Sequence, residues 1–277
     1  MKLKNYRFAV LLGLTISLAA CNANDGGSSS QNGNSSEPQI SESSSFNDFN
    51  GYYASITSTM TGTALLSALQ SLNSQKRTRT VGYGSMGSYY KQTDGDPANA
   101  SNILSFYSGT STAFNGSFGG AVNREHVWPN SRGGNLVEDD IHMPRPTLVA
   151  ENGSRGNSFY VEGMKSSSAG WDPAEESFGK EKYRGISARI IFYCVAASSQ
   201  LSLVDTNNDN TSNKTMGKLS DLLKWNLAYT IDATETKRNA AAQTIQGNRN
   251  PFIDHPEFAC KIWGNYNNTT KAMCGLN

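Results

Sequence analysis

Two of the three histidines in the chain, His126 and His142, fall in one short segment crowded with Arg, Asn, Asp and Glu. It reads Asn123-Arg124-Glu125-His126-Val127-Trp128-Pro129-Asn130-Ser131-Arg132, then Asp140-Ile141-His142-Met143-Pro144-Arg145-Pro146, then Glu151-Asn152-Gly153-Ser154-Arg155-Gly156-Asn157. These residue types suit phosphodiester hydrolysis. That reaction needs a group to take a proton from water near neutral pH, and histidine has the right intrinsic pKa. It also needs negative charge on the phosphoryl oxygens to be neutralised. A hard cation held by oxygen ligands does this, and so does arginine, which grips two oxygens at once. Glu125, His126, Asn152 and the arginines supply each part. A bland reading competes, because a Glu-His pair is ordinary at a strand end and Asn and Arg are ordinary in loops. On a regular strand Glu125 and His126 also point to opposite faces. One site can use both only where the strand ends or bulges, and Pro129 with Gly133-Gly134 is placed to end it.

Other hydrolytic chemistries lack their residues. There is no His-Glu-x-x-His and no Cys/His quartet for zinc. No Gly-x-Ser-x-Gly elbow precedes a helix, and no glycine loop followed by Lys-Ser/Thr cradles a phosphate.

The motifs as a set decide between the readings. Asn-Arg-Glu-His-Val-Trp-Pro-Asn-Ser, Asp-Ile-His with Arg-Pro, and Asn-Gly-Ser-Arg-Gly-Asn closely resemble the bacterial endonuclease I family of periplasmic and extracellular nucleases. Gln246-Gly247-Asn248-Arg249-Asn250-Pro251-Phe252-Ile253-Asp254-His255-Pro256 is similar to a signature of its extracellular branch. The resemblance runs from about Gly51 to Trp263. It implies a ββα-metal nuclease core inside a mixed α+β domain, acting on DNA, RNA or both to leave 5′-phosphates. It implies His126 as general base, Glu125 and Asn152 as ligands of one Mg²⁺ (with Mn²⁺ or Ca²⁺ as substitutes), and Asp140 and His142 as support. The family places an arginine against the phosphate between the Glu-His and Asp-x-His elements. This chain is short there: Arg132 is the nearest candidate and Arg155 the second. Arg124 and Arg145 are expected to meet the sugar-phosphate backbone, with Lys180, Lys182 and Arg184 as a possible extension of the groove.

The elements that must position these residues follow from periodicity. Leu65, Leu66, Leu69 and Leu72 after Thr61-Gly62 predict a helix. Residues 76–120, rich in Gly, Ser, Tyr and Asn, predict loops and short strands, with Thr93-Asp94-Gly95-Asp96-Pro97 as a turn rather than a cation site. Ile186, Ile190, Ile191, Cys194 and Val195 predict a second helix, Leu219, Leu222, Leu223 and Trp225 a third, and Glu235 to Ile245 a fourth. Asp254-His255-Pro256-Glu257 reads as a capped helix start, with Gly264 as its stop. The fold class is α+β, with an irregular, partly β first half and a helical second half. Cys260 and Cys274 are the expected disulfide pair, leaving Cys194 as a buried thiol on a helix.

The N-terminus stands apart. Lys2, Lys4 and Arg7 precede an apolar run of 13 residues, Phe8 to Ala20, too short to span a bilayer. It ends in Leu18-Ala19-Ala20-Cys21, which resembles a lipoprotein signal with Cys21 as the lipidated residue. The predicted organisation is a leader over 1–20, a Ser/Asn/Gly-rich tether over 21–46, and a nuclease domain over 47–277. By resemblance to lipoprotein sorting, Asn22 after the cysteine implies the outer membrane, on its periplasmic side or at the cell surface, with release as a further outcome; the Ser/Asn/Gly-rich stretch predicts a flexible tether, and a monomer is expected. Removing the three basic leader residues leaves 21 Lys+Arg against 23 Asp+Glu, a net charge of −2. A large positive field is therefore excluded, and any grip on phosphates must be local. Two other classes fit the composition: a degenerate lipoprotein that binds nucleic acid without cutting it, and an adhesive surface protein.

Overall fold

The structure, a computed structural model, describes residues 44–165, 170–207 and 214–276. The leader, Cys21 and nearly all of the tether lie outside the described residues. The domain begins slightly before residue 47: Ser45 bridges Thr57, and the Phe46 ring sits against His255 and Phe258.

A helical turn α1 (Asp48–Gly51) leads to α2 (Gly62–Lys76). Helix α2 buries Leu65, Leu69 and Leu72, the stripe that the leucine spacing predicts. A 3-10 turn over Tyr83–Ser88 and the short α3 (Tyr90–Thr93) follow. Then comes an antiparallel sheet of β1 (Gly95–Asp96), β2 (Asn99–Leu104) and β3 (Ser111–Ala113).

Strands β4 (Val122–His126) and β5 (Pro144–Leu148) form a separate antiparallel pair, in unbroken register from Val122 opposite Leu148 to His126 opposite Pro144. Pro144 and Pro146 have no N–H to offer a further strand, and β5 pairs with β4 alone. The outer side of β5 is used otherwise: the Pro146 carbonyl accepts from Phe106 N–H at 2.8 Å. Helix α4 (Val149–Arg155) starts directly after β5, so β4, β5 and α4 make a contiguous ββα unit.

The second half is helical: α5 (Lys182–Ala197), α6 (Leu219–Ala228), α7 (Ala233–Gln246), α8 (Pro251–Asp254), α9 (Phe258–Trp263) and α10 (Asn268–Met273). A short parallel pair, β6 (Ser202–Leu203) and β7 (Thr215–Met216), lies between α5 and α6. Helix α5 is buried all round from Gly185 to Ala196, so it is the central rod of the core rather than a one-sided helix. Its one buried cation, Arg189, is paired with Glu235 of α7. None of the described helices is long and apolar enough to cross a membrane.

Cys260 and Cys274 form a disulfide, and Cys194 is a free buried thiol on α5. The reading of Asp254 needs correction. It closes α8 rather than capping the next helix, because its carboxylate is taken by Arg249, Asn239 and the Tyr53 hydroxyl. The cap in this stretch is Asn250, which accepts from Phe252 N–H ahead of Pro251 at the first helical position.

Candidate active site

Strand β4 ends at His126, and its last two side chains leave from opposite faces, as regular pleating requires. Glu125 turns inward and is 1% exposed. Its Oε1 accepts from the Tyr107 hydroxyl at 2.8 Å and lies 3.4 Å from Arg155 Nε. Burial pushes the Glu125 carboxyl up, and Arg155 and the Tyr107 hydroxyl oppose that shift. Tyr107 reaches this position from a backbone with φ of 77°, a conformation that a bulky side chain adopts only under constraint. Its hydroxyl also bonds Tyr160 at 2.6 Å, and the Arg155 guanidinium lies over the Tyr160 ring. Two tyrosines and an arginine thus immobilise one carboxylate oxygen.

His126 turns the other way and keeps 15% of its side chain exposed. Its Nε2 lies 3.1 Å from Glu138 Oε2, and its Nδ1 lies 3.5 Å from the Tyr83 hydroxyl. Asn130 also donates to Glu138 Oε2. An ionised carboxylate only accepts, so Glu138 assigns the imidazole proton to Nε2 and leaves the Nδ1 lone pair as proton acceptor. Burial lowers the His126 pKa, and Glu138 opposes the shift. Burial thus favours the neutral ring.

Asn152 sits half-buried on α4, and its backbone carbonyl accepts from Gly156 N–H. Among the described residues no group of three or more His, Cys, Asp or Glu side chains gathers around one point. The available donors are hard: Glu125 Oε2, which takes neither of the contacts made by Oε1, and the Asn152 amide oxygen. This fits a hard divalent ion that keeps most of its waters and takes one or two protein oxygens.

The arginines divide sharply. Arg155 is 1% exposed, donates to the Val127 and Gly156 carbonyls and lies behind Glu125. Arg132 is buried over the Phe159 ring, its Nε on the Asn157 carbonyl. Arg145, expected to meet substrate, turns inward from β5 and chelates buried Asp94 through Nε and Nη2, and Arg238 of α7 shares that carboxylate. So Asp94 of the expected turn is a buried hub, whereas Asp96 makes turn contacts to Ala98 N–H and Ser111. Arg124, on the same face of β4 as His126, is partly exposed and stacked on Tyr83 at 3.8 Å. Lys182 and Arg184 are ion-paired to Asp232 and Asp172.

Asp140 and His142 are fully enclosed away from His126. Asp140 accepts from Tyr193, Gln246 and Asn248, and His142 Nε2 faces the Asn248 carbonyl at 3.2 Å. Burial lowers the His142 pKa to about 4. This network ties the β4–β5 connection to α5 and to the segment after α7.

Sequence reading missed Tyr83, Tyr107, Glu138 and Tyr160. Glu138 had a signal: it opens the run Glu138-Asp139-Asp140 directly ahead of His142. The tyrosines lie among many others in stretches without periodicity and carried none.

Comparison with known proteins shows the family. The sequence profile of the family described as Endonuclease I matches residues 61–257. An extracellular ribonuclease of Bacillus amyloliquefaciens is 38% identical over 223 residues, 73% of this chain and 74% of its own length. An extracellular ribonuclease of Bacillus subtilis (strain 168) is 35% identical over 204 residues, 66% of this chain and 69% of its own length.

Proposed function

The chain belongs to the endonuclease I family, and from that premise we propose that it is an exported nuclease cutting within RNA, DNA or both by general-base hydrolysis on His126. The observation that carries this reading is the pairing of His126 with Glu138 at the end of β4, next to a carboxylate, Glu125, held through Oε1 by Tyr107. His126 Nδ1 takes the proton of a water attacking phosphorus, and Glu138 holds the ring and stabilises the imidazolium that forms. Glu125 and Asn152 would hold a divalent ion, Mg²⁺ in the first place. Such an ion, when bound, neutralises charge on the phosphoryl oxygens and the departing O3′. Arg155 and Tyr107 act through Glu125 by fixing its orientation. Arg124, close to His126 and partly exposed, is placed for backbone phosphate, and Arg132 is the less accessible candidate. Asp140 and His142 support the β4–β5 connection. The products carry 5′-phosphates.

The names of both ribonuclease relatives make RNA the first substrate to try and export the expected location. The monomer is anchored by lipid on Cys21.

The decisive test is degradation of RNA and of plasmid DNA with added Mg²⁺, with and without EDTA, using wild type, His126→Ala and Glu125→Gln. Cleavage that is lost in EDTA and in both variants supports the mechanism. Undiminished cleavage by His126→Ala sinks it. A protein that retains substrate and leaves it intact under all conditions is the degenerate binder instead. For the anchor, Cys21→Ser should move the protein from the membrane fraction to the soluble one.

A further inference from the structure

An open groove of ≈ 550 Å³ lies beside the start of β4, bounded by Lys91, Ser101, Phe114, Asn115, Phe118 and Val122. A ladder of rings and one cation joins it to His126. The Tyr83 ring lies 4.7 Å from the His126 ring. The Arg124 guanidinium lies 3.8 Å from the Tyr83 ring on one side and 4.4 Å from the Phe118 ring on the other. Phe118 in turn lies 5.4 Å from Phe114. Val122, Arg124 and His126 alternate along β4 and so share one face, over roughly 13 Å at the rise of an antiparallel strand.

Several features make this more than a gap between loops. Arg124 Nε is buried without a hydrogen-bond partner, and among the described residues neither Arg124 nor Lys91 is neutralised by a carboxylate. Arg124, whose Nη1 donates to the Tyr83 carbonyl at 2.7 Å, is held partly exposed between the two rings, and Lys91 is exposed, so two cations flank an aromatic wall with the candidate site at one end. The loop carrying Phe118 is held close by Gly87, where a Cβ would sit 2.0 Å from the Gly116 carbonyl oxygen. The volume is within the roughly 300–1,000 Å³ of small-molecule sites.

We propose that this groove is a base-stacking subsite for an unpaired strand of nucleic acid, with a base against Phe118 and a neighbouring phosphate of the same strand at His126. The proposal rests on the nuclease reading of His126. Every base has a π-face, so an aromatic wall flanked by cations grips any sequence, provided the base is free to leave its stack. In a duplex the bases are paired and stacked inside, so the groove favours single strands, and its continuity with the site orients the strand.

The test uses the full chain with His126→Ala to block cleavage, and a single-stranded oligonucleotide carrying 2-aminopurine, whose fluorescence is quenched by stacking. Binding should quench the probe. Adding Phe118→Ala should abolish the quenching and weaken binding about tenfold or more, and Phe118→Tyr should restore both. Phe118→Leu keeps the apolar bulk and should behave like Phe118→Ala, with an unchanged thermal melt showing that the fold is intact. Equal quenching and affinity in Phe118→Leu and its parent overturn the proposal, and so does tighter binding of a duplex than of the single strand. The nuclease reading fails by a different result: wild type with Mg²⁺ that cleaves neither RNA, DNA nor the base-free diester bis(p-nitrophenyl) phosphate.

Discussion

On one face of β4, Glu125 is 1% exposed and its Oε1 is held by Tyr107 and Arg155. On the other, His126 keeps 15% of its side chain in reach of solvent and rests on Tyr83 and Glu138. One strand thus presents adjacent residues to two different media. The inward face is rigid, and its charges stabilise only as long as each keeps its partner, because a lone buried charge is costly. On the outward face His126 and Glu138 keep 15% and 27% of their side chains exposed. The difference teaches that the inward face couples any role of Glu125 to the stability of the fold, whereas the outward face can be altered with less cost to it.

The largest expected effect is on the outward face. His126→Ala should lower the cleavage rate by about 10²–10⁴ while the thermal melt stays close to wild type. A variant that fails to fold would break the comparison. Next, on the inward face, Arg155→Met leaves Glu125 buried and unpaired, and should cost about 3–5 kcal/mol in denaturant unfolding. Wild-type stability in that variant would show that Glu125 is not sealed.

Acid should act through the interior. The folded-state pKa of His142 is about 4, below the ordinary 6.5 that it regains on unfolding, so the unfolded chain binds the extra proton between those values. The contribution of His142 is present above pH 6.5 and is lost as pH falls towards 4, on the order of 3 kcal/mol. Unfolding midpoints measured from pH 7 to pH 4 should fall, and His142→Asn should flatten the slope. A smaller effect sharpens the outward face: Glu138→Gln should lower kcat about tenfold with KM and the melt little changed. The smallest is Lys182→Ala, whose exposed pair with Asp232 is worth less than about 1 kcal/mol. A marked fall in its nucleic-acid binding would restore this lysine to the groove.

Much of the fold was legible. The leucine spacing in α2, the apolar stripes of α5 and α6, and the Cys260–Cys274 pair are local patterns, and burial or proximity along the chain enforces them. The strand-geometry objection to Glu125-His126 was also legible, and it holds: β4 runs to His126 without a bulge, and the two side chains leave from opposite faces. The arginines were not. Arg145 and Arg124 look alike in a motif-rich segment, yet one is paired with Asp94 and Arg238 deep inside, and the other stacks on Tyr83 at the surface. Asp254 misled for the same reason: a carboxylate ahead of a proline looks like a cap until Arg249 and Tyr53 claim it.

By itself the sequence determined that a histidine and a carboxylate stand side by side in an α+β domain of this family, because residue type and order are properties of the chain. Which face each one meets, which oxygen of Glu125 is tied down, which partner each imidazole nitrogen takes and which arginine remains partly exposed near His126 were decided by tertiary structure. The partners that settle them come from afar in the chain: Tyr83 and Glu138 for His126, Tyr107 and Arg155 for Glu125, Arg238 for Asp94. A buried charge takes whichever counter-charge folding brings within a few ångströms, and only the folded chain has that distance.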